Sequence, residues 1–380
     1  MTPREARRKI LYFATEDWAF CLHRLPLARA ALRAGYDVAV VVRVRNHGGP
    51  IIAAGLRLIP VNIARGGMHP WRELRTLLEL WRIYRAERPD IVHHVAVKPV
   101  LYGSLIAALT GVRATINALT GMGFLFTSKR RLARLLRPAV EIALRILLNR
   151  SASRVILQNA DDLRGLAGAG IVKPGTARLI RGSGVDTLAF TPSPEPPGTP
   201  LVVLPARLLW DKGVGEFVAA ARQLRQQGVP ARFVLVGDRD PENPAVVPQA
   251  TLDAWRAEGF VELWGWRDDM AQVYRDCHVV CLPSYREGLP KALLEAAACG
   301  RPLVSCDVEG CREAVRHGES GLLVPVRDAT ALAAALRQLI ENASQRAKFG
   351  RAAREIAVAE FSLDSVIEQT FALYRELLPA

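Results

Sequence analysis

An α/β architecture of two doubly wound parallel-sheet domains is the fold this sequence predicts, and three observations carry that prediction. Short apolar runs rich in Val, Ile and Leu alternate with helix-spaced segments along the chain, the pattern of parallel strands joined by crossover helices. A length of 380 residues exceeds what one hydrophobic core ordinarily serves. Five prolines fall between Pro192 and Pro200 and form a stiff joint, which places the domain boundary between 190 and 191.

In the first half, residues 9–13 make a β-branched and aromatic strand, 14–18 a polar loop, 23–34 a helix stopped by Gly35, and 37–42 a second strand. No Gly-x-Gly-x-x-Gly follows the first strand, which disfavours a nicotinamide enzyme. The alternation continues with a strand at 56–59, a Trp/Leu/Tyr-spaced helix over 71–87, a strand at 91–95, a helix over 100–110, and strands at 114–118 and 154–157. Loops after parallel strands collect at one sheet edge, so 15–20, 93–99 and 120–128 are expected there. His93 and His94 end a strand, with Lys98 beyond. Neighbours on a strand point to opposite faces, so at most one of the two histidines can look into a cleft.

Residues 1–190 hold 30 Lys and Arg against 12 Asp and Glu, whereas residues 191–380 hold 21 against 25. Such asymmetry points to a polyanionic partner. No nucleic-acid-binding motif is present, which favours an anionic membrane surface over nucleic acid. Residues 129–150 supply a means of contact. Leu132, Leu135, Leu136, Ala139, Val140, Ala143 and Leu147 make one helical stripe there, and Arg134, Arg137, Glu141 and Arg145 another, with Pro138 expected to kink or divide the helix. No apolar segment reaches the ~18 residues of a membrane span, and the start of the chain is a first strand rather than a signal peptide. The six cysteines form no Cys-x-x-Cys pair and are expected to be reduced core thiols of a cytosolic protein.

The second half repeats the strand–helix plan with more chemistry in its loops. A strand at 201–206 leads into Arg207 and Lys212, two cations that can reach one pyrophosphate. Strands follow at 232–236 and 261–263, the latter leading to Trp266, Arg267 and an Asp268-Asp269 helix cap. Residues 279–300 are a buried strand, a tight polar loop carrying Glu287, and a helix carrying Glu295, opened by Pro290 and closed by Gly300. A helix start offers free N–H groups to a phosphate; since Pro290 has none, Gly288, Leu289 and Lys291 remain to donate. There is no Asp-x-Asp in a suitable loop and no Cys/His ligand set, so no metal site is expected. The helix over 329–340 is structural.

The Glu287-x7-Glu295 pair within "LPSYREGLPKALLEAAACGRPLVSCDVEGCREAV", followed by "GLLVP" from Gly321, resembles the signature of family-4 glycosyltransferases of the GT-B fold. Arg207 with Lys212-Gly213, and Gly184-Val185-Asp186 with Phe190, resemble two further segments of that family. The resemblance implies two Rossmann-like domains facing a cleft, with a C-terminal helix at 362–380 crossing back onto residues 1–190 and leaving 191–361 to bind the nucleotide sugar. It implies that Glu287 holds sugar hydroxyls and steadies the anomeric centre while Glu295 binds the ribose. Arg207, Lys212 and the amides of Gly288, Leu289 and Lys291 take the leaving-group charge, and Trp266 and Arg267 line the nucleobase pocket. His94, ahead of His93, contacts the sugar or acceptor. Relatives carry a Gly-Gly loop after the first strand where this chain has "TEDWAFCLHR"; His23 and Arg24 there, with Lys98, suit an acceptor pyrophosphate.

The closest resemblance is to enzymes that add an N-acetylhexosamine from a UDP-sugar to a sugar diphospho-undecaprenol in bacterial capsule, O-antigen or glycan assembly. The implied reaction retains configuration and uses no cofactor beyond the nucleotide sugar, on the inner face of the cell membrane. Other readings are a sugar-nucleotide epimerase of the same fold, a glycosyltransferase with another nucleotide sugar or a soluble acceptor, and a non-catalytic membrane-docked binding protein.

Overall fold

The computed structural model describes residues 7–64, 69–120 and 131–379 and divides into two compact units, Met1–Ser183 with Val366–Ala380, and Gly184–Ser365. The first contains β1 (Lys9–Glu16), α1 (Asp17–His23), α2 (Leu25–Arg33), β2 (Asp37–Arg43), α3 (Gly48–Ala53), β3 (Arg57–Pro60), α4 (Pro70–Glu87), β4 (Ile91–Val95), α5 (Val97–Thr110), β5 (Ala114–Leu119), α6 (Arg131–Leu148), β6 (Ser153–Leu157), α7 (Ala160–Gly168) and β7 (Ala177–Leu179). Its strands form one parallel sheet in the order β3-β2-β1-β4-β5-β6-β7. The second unit contains β8 (Leu201–Pro205), a 3-10 turn (Trp210–Lys212), α8 (Val214–Gln226), β9 (Arg232–Val236), α9 (Gln249–Glu258), β10 (Glu262–Gly265), α10 (Met270–Asp276), β11 (Val279–Leu282), α11 (Lys291–Ala298), β12 (Leu303–Cys306), α12 (Glu309–Ala314), β13 (Gly321–Val324), α13 (Ala329–Glu341) and α14 (Ala343–Phe361). Its parallel sheet runs β10-β9-β8-β11-β12-β13. A final helix, α15 (Leu363–Leu377), crosses the division and belongs to the first unit from Val366 onward.

The two-residue period of β1 sorts the core of the first unit. Ile10 and Tyr12 pack with Leu27, Ala31 and α15, whereas Leu11 and Phe13 pack with Leu80, Tyr84 and Ile106 on the other face. Tyr374 of α15 is fully buried, its hydroxyl 3.0 Å from that of Tyr12 and 2.7 Å from His93 Nδ1. Replacing Tyr374 by phenylalanine takes a hydrogen-bond partner from the buried Tyr12 hydroxyl and the buried His93 ring nitrogen. It is expected to destabilise the first unit by about 1–3 kcal/mol in denaturant unfolding, and an unchanged midpoint would contradict this account of the docked helix.

Four expectations change. The loop expected at 14–18 is the end of β1 and the start of α1, because the buried carboxylate of Asp17 accepts N–H bonds from Trp18, Arg45 and His47 at 2.8, 2.7 and 2.8 Å. The single helix expected at 23–34 is two, α1 and α2, since Pro26 in the first turn of α2 has no N–H to continue α1. Of the two effects expected of Pro138, it does not divide the helix, since α6 is one helix through it. Of its expected stripes Leu147 is buried, but Ala139 is exposed, and Ile142 and Ile146 lie outward with Arg137 and Arg145. Residues 121–130, and the side chains of 131–136, lie outside the described residues. Lastly, the division falls at Ser183/Gly184 rather than 190/191, because side chains of the second unit strap down the proline-rich segment. Arg354 donates to Thr187 O and Phe190 O at 3.2 and 2.9 Å, Arg301 to Ser193 Oγ at 2.6 Å, and Arg346 to Glu195 at 2.8 Å.

All six cysteines are free thiols and all but Cys21 are buried. Burial pushes the thiols of Cys277 and Cys306 up to about 12.

Candidate functional site

Strand order reverses between β8 and β11, the place where open α/β sheets collect ligand-binding loops. Arg207 and the 3-10 turn follow β8, and the Glu287 loop follows β11. Two close approaches fix these segments together. The Tyr285 N–H donates to Asp211 O at 2.9 Å. Gly213, at φ 71°, abuts Pro283 so tightly that a Cβ would stand 2.1 Å from the Pro283 oxygen. Behind the loop, the start of α12 presses Gly310 against Gly288, where a Cβ would meet its oxygen at 2.3 Å. Lys212 Nζ thereby reaches Glu287 Oε1 at 2.5 Å, the two side chains being 20% and 12% exposed.

Arg207 stands on the same β8 exit but pairs with Asp240, Nη1 to Oδ2 at 2.5 Å. Glu295 lies in α11, 8% exposed, with the Tyr274 hydroxyl donating to Oε2 at 3.3 Å and Lys291 Nζ 3.6 Å from Oε1. Burial raises its pKa above the ordinary carboxyl value, opposed by the Lys291 charge. A carboxyl whose folded pKa is raised favours the fold below its unfolded pKa and loses that advantage as pH climbs through the folded one. Glu295→Gln is therefore expected to melt higher than wild type at pH 7, with the gap closing as pH falls below the usual carboxyl range; a lower Tm at pH 7 would refute the assignment.

Pro290 occupies the cap position rather than the first turn, and its carbonyl accepts from Leu293 and Leu294 at 3.0 and 3.3 Å. Gly288 and Leu289 sit on the loop before it, Leu289 buried, and Lys291 opens the helix. Trp266 and Arg267 follow β10, the edge strand two places from β8, about 10 Å along the sheet. Trp266 is 55% exposed, with its indole N–H on Asp268 at 2.8 Å. Asp269 stands at the cap of α10 without capping it, because its carboxylate binds Arg267 at 2.6 and 2.7 Å. Four residues of this region escaped sequence reasoning: Asp240, Glu216, Tyr285 and Arg327. The Tyr285 hydroxyl donates to Glu216 Oε1 at 2.6 Å, and the Arg327 guanidinium lies 4.6 Å from the Tyr285 ring centroid. No local pattern marks them, since each pairs with a residue from a different crossover.

In the first unit the exits of β1 and β4 are likewise adjacent at the reversal of strand order, but two residues expected to meet ligands are core. His94 is fully buried, with Nε2 3.0 Å from the Tyr84 hydroxyl and Nδ1 2.7 Å from Asn117 Oδ1; burial lowers its pKa to about 4. Its ring is packed against Gly103, where a Cβ would come within 2.4 Å. Arg24 is 3% exposed beside Tyr12 and Tyr374, and desolvation lowers its pKa. His93 is also buried, its pKa lowered by desolvation and by Arg24. Lys98 is held by Glu73 and Ala64 O, each at 2.9 Å. His23 is part-buried, Nδ1 3.3 Å from Ser183 Oγ. Between β4 and α5, Ala96 adopts φ 78°, ψ 161°, a conformation costly for any residue but glycine.

Among the described residues no group of three or more His, Cys, Asp or Glu is placed to hold a metal ion. A surface hollow lined by His317, Gln338 and Lys348 contains none of the residues above.

Residues 9–159 match the family model described as glycosyl transferase 4-like, and residues 199–342 match glycosyl transferases group 1. The chain is 26% identical over 93% of its length, and 95% of the relative's, to the N,N'-diacetylbacillosaminyl-diphospho-undecaprenol alpha-1,3-N-acetylgalactosaminyltransferase of Campylobacter jejuni. Among solved structures it superposes on sucrose-phosphate synthase from Thermosynechococcus elongatus with a TM-score of 0.79 at 21% identity, covering 98% of this chain and 99% of that one. Anabaena HepE in complex with UDP and glucose gives 0.76 at 18% identity, covering 97% and 99%.

Proposed function

Because the chain belongs to the GT-B glycosyltransferases, with a GT4-like domain followed by a group 1 domain, we propose that it moves an N-acetylhexosamine from a UDP-sugar to a saccharide on diphospho-undecaprenol. The supporting observation is the Lys212–Glu287 contact at the strand reversal of the second unit. A cation and a carboxylate side by side suit the two charges of the reaction, a diphosphate gaining negative charge and an anomeric carbon gaining positive charge.

The acceptor hydroxyl oxygen bonds to the anomeric carbon on the face from which UDP departs. The bond from that carbon to the diphosphate oxygen breaks, UDP keeps the electron pair, and the hydroxyl proton passes to the departing phosphate. Configuration is retained. Lys212 and Arg207 bear the diphosphate charge with the Gly288, Leu289 and Lys291 amides, exchanging their present carboxylate partners for it. Glu287 holds sugar hydroxyls, Glu295 the ribose, and Trp266 and Arg267 the base. His23 faces the acceptor. The reaction needs no metal or cofactor, and the enzyme works peripherally on the inner membrane face, touching it through 129–150. The setting is assembly of a bacterial surface polysaccharide or glycan. The sugar diphospho-undecaprenol acceptor in the name of the Campylobacter jejuni relative and the UDP bound by HepE support this choice of substrates.

The test is incubation with UDP-N-acetylhexosamine and a saccharide diphospho-polyprenol, with and without EDTA, followed by mass spectrometry and NMR of the product. The expected product is an α-linked extended lipid formed equally under chelation. A β-linkage would overturn retention, and an altered nucleotide sugar formed without acceptor would identify an epimerase.

A further inference from the structure

We infer that the outer face of α4 is an anchor on an anionic lipid surface, separate from the contact proposed for 129–150. Trp71, Leu74, Leu78 and Trp81 are exposed by 70, 46, 48 and 37%, although large apolar side chains on a helix ordinarily face the core. At 100° per residue the four fall within an arc of about 80°, so they form one stripe along a helix of 18 residues, about 27 Å long. The opposite face is an ordinary core face, with Leu80 and Tyr84 buried.

Charge on α4 is sorted by its partners. Arg85 falls within the stripe and Arg75 and Arg82 beside it, with Arg72 further round, all four exposed, and the Arg85 guanidinium lies 4.9 Å from the Trp81 ring centroid. The three glutamates are drawn toward the protein. Glu73 binds Lys98 and Tyr102 at 2.9 and 2.8 Å, Glu79 accepts the Asn62 N–H at 3.2 Å, and Glu87 pairs with Lys9 at 3.3 Å and with Arg57. The large exposed side chains of α4 are therefore tryptophan, leucine and arginine, a combination that seats apolar side chains below lipid headgroups and arginines against their phosphates.

The stripe does not stand by itself. Helix α5 packs beside α4 and α6 beside α5, and they expose Leu105, Leu109, Ile142 and Ile146. Eight of the sixteen large hydrophobic side chains exposed among the described residues lie on these three helices, so the apolar excess is concentrated on one layer of the first unit. Among the described residues no helix is long and apolar enough to cross a membrane, and the geometry is that of a surface lying on one. The basic excess of residues 1–190 selects an acidic bilayer as the occupant rather than a second copy, whose identical arginines would meet their like. The inference deepens the membrane contact of the proposed function and rests on it only for the acceptor.

The test is flotation of the full chain with phosphatidylglycerol/phosphatidylcholine vesicles and with pure phosphatidylcholine, without substrate. Binding is expected only to the acidic vesicles, with a blue shift of tryptophan emission. Trp71→Ser with Leu74→Ser, Leu78→Ser and Trp81→Ser should bind roughly a hundredfold more weakly at unchanged circular dichroism and Tm. Replacing the four arginines by glutamine should remove most of the salt dependence, by roughly fivefold per residue. Transfer to a short-chain, water-soluble acceptor should persist in both variants; failure of transfer in wild type too would count against the proposed function and leave the anchor standing. The anchor is overturned if wild type ignores acidic vesicles, if only Ile142→Ser with Ile146→Ser releases it, or if sedimentation shows a dimer that the α4 variant dissociates.

Discussion

Lys212→Met is expected to lower kcat by about a hundredfold to a thousandfold, the effect of removing one preorganised group aimed at charge that develops in the transition state. Lys212 is placed for this by two folded segments rather than by its own flexibility. The 3-10 turn carries it and the Tyr285 N–H to Asp211 O bond of 2.9 Å holds that turn to the Glu287 loop. The substitution also leaves Glu287, 12% exposed, without its cation, which should cost about 1–3 kcal/mol of stability. The two consequences separate experimentally. Lys212→Met with Glu287→Gln should recover part of the lost stability while activity stays low, measured by thermal melts and steady-state kinetics on the same preparations. A kcat within tenfold of wild type in a folded Lys212→Met protein would show that the leaving-group charge is carried elsewhere.

Gly213→Ala is expected to destabilise the second unit by about 3 kcal/mol or more and to abolish transfer in whatever fraction folds. Its φ of 71° disfavours any side chain, and a Cβ there would lie 2.1 Å from the Pro283 oxygen. The nearest atom it meets is a backbone oxygen, and the Cβ is fixed rigidly to its own backbone, so relief requires separating the β8 exit from the β11 exit, and with them Lys212 from Glu287. Gly228 supplies the control. At φ 73° it has nearly the same backbone conformation but nothing within 4 Å of a would-be Cβ. Gly228→Ala should cost only the conformational strain, about 1 kcal/mol, and keep full activity. Equal losses in the two variants would show that the Gly213–Pro283 approach contributes nothing.

Much of the site was legible because its signals are local. Apolar runs and helix spacing identified β8, β11 and the helices after them, and Gly300 and the Glu287-to-Glu295 spacing marked the β11 loop and α11. The loops that hold the candidate residues were legible as well, since Arg207, Lys212 and Glu287 each follow an apolar run that ends in a strand. What failed was the side-chain environment in the first unit. His94 and Arg24 looked available because histidine and arginine are polar. Their burial depends on Tyr84 and Asn117 in one case and on Tyr12 and Tyr374 in the other, and Tyr374 is 281 residues from His93.

The sequence by itself determined the alternation of strands and helices, the two-unit α/β plan and which loops hold the candidate residues, because hydrophobic period and Pro/Gly placement act over a few residues. Only the tertiary structure decided which of those loops meet. It set β8 beside β11, gave Lys212 to Glu287 and Arg207 to Asp240, and left the tryptophans of α4 facing outward. These are matters of strand order and of which helix covers which face, and both follow from burying the whole chain at once rather than from any stretch of it.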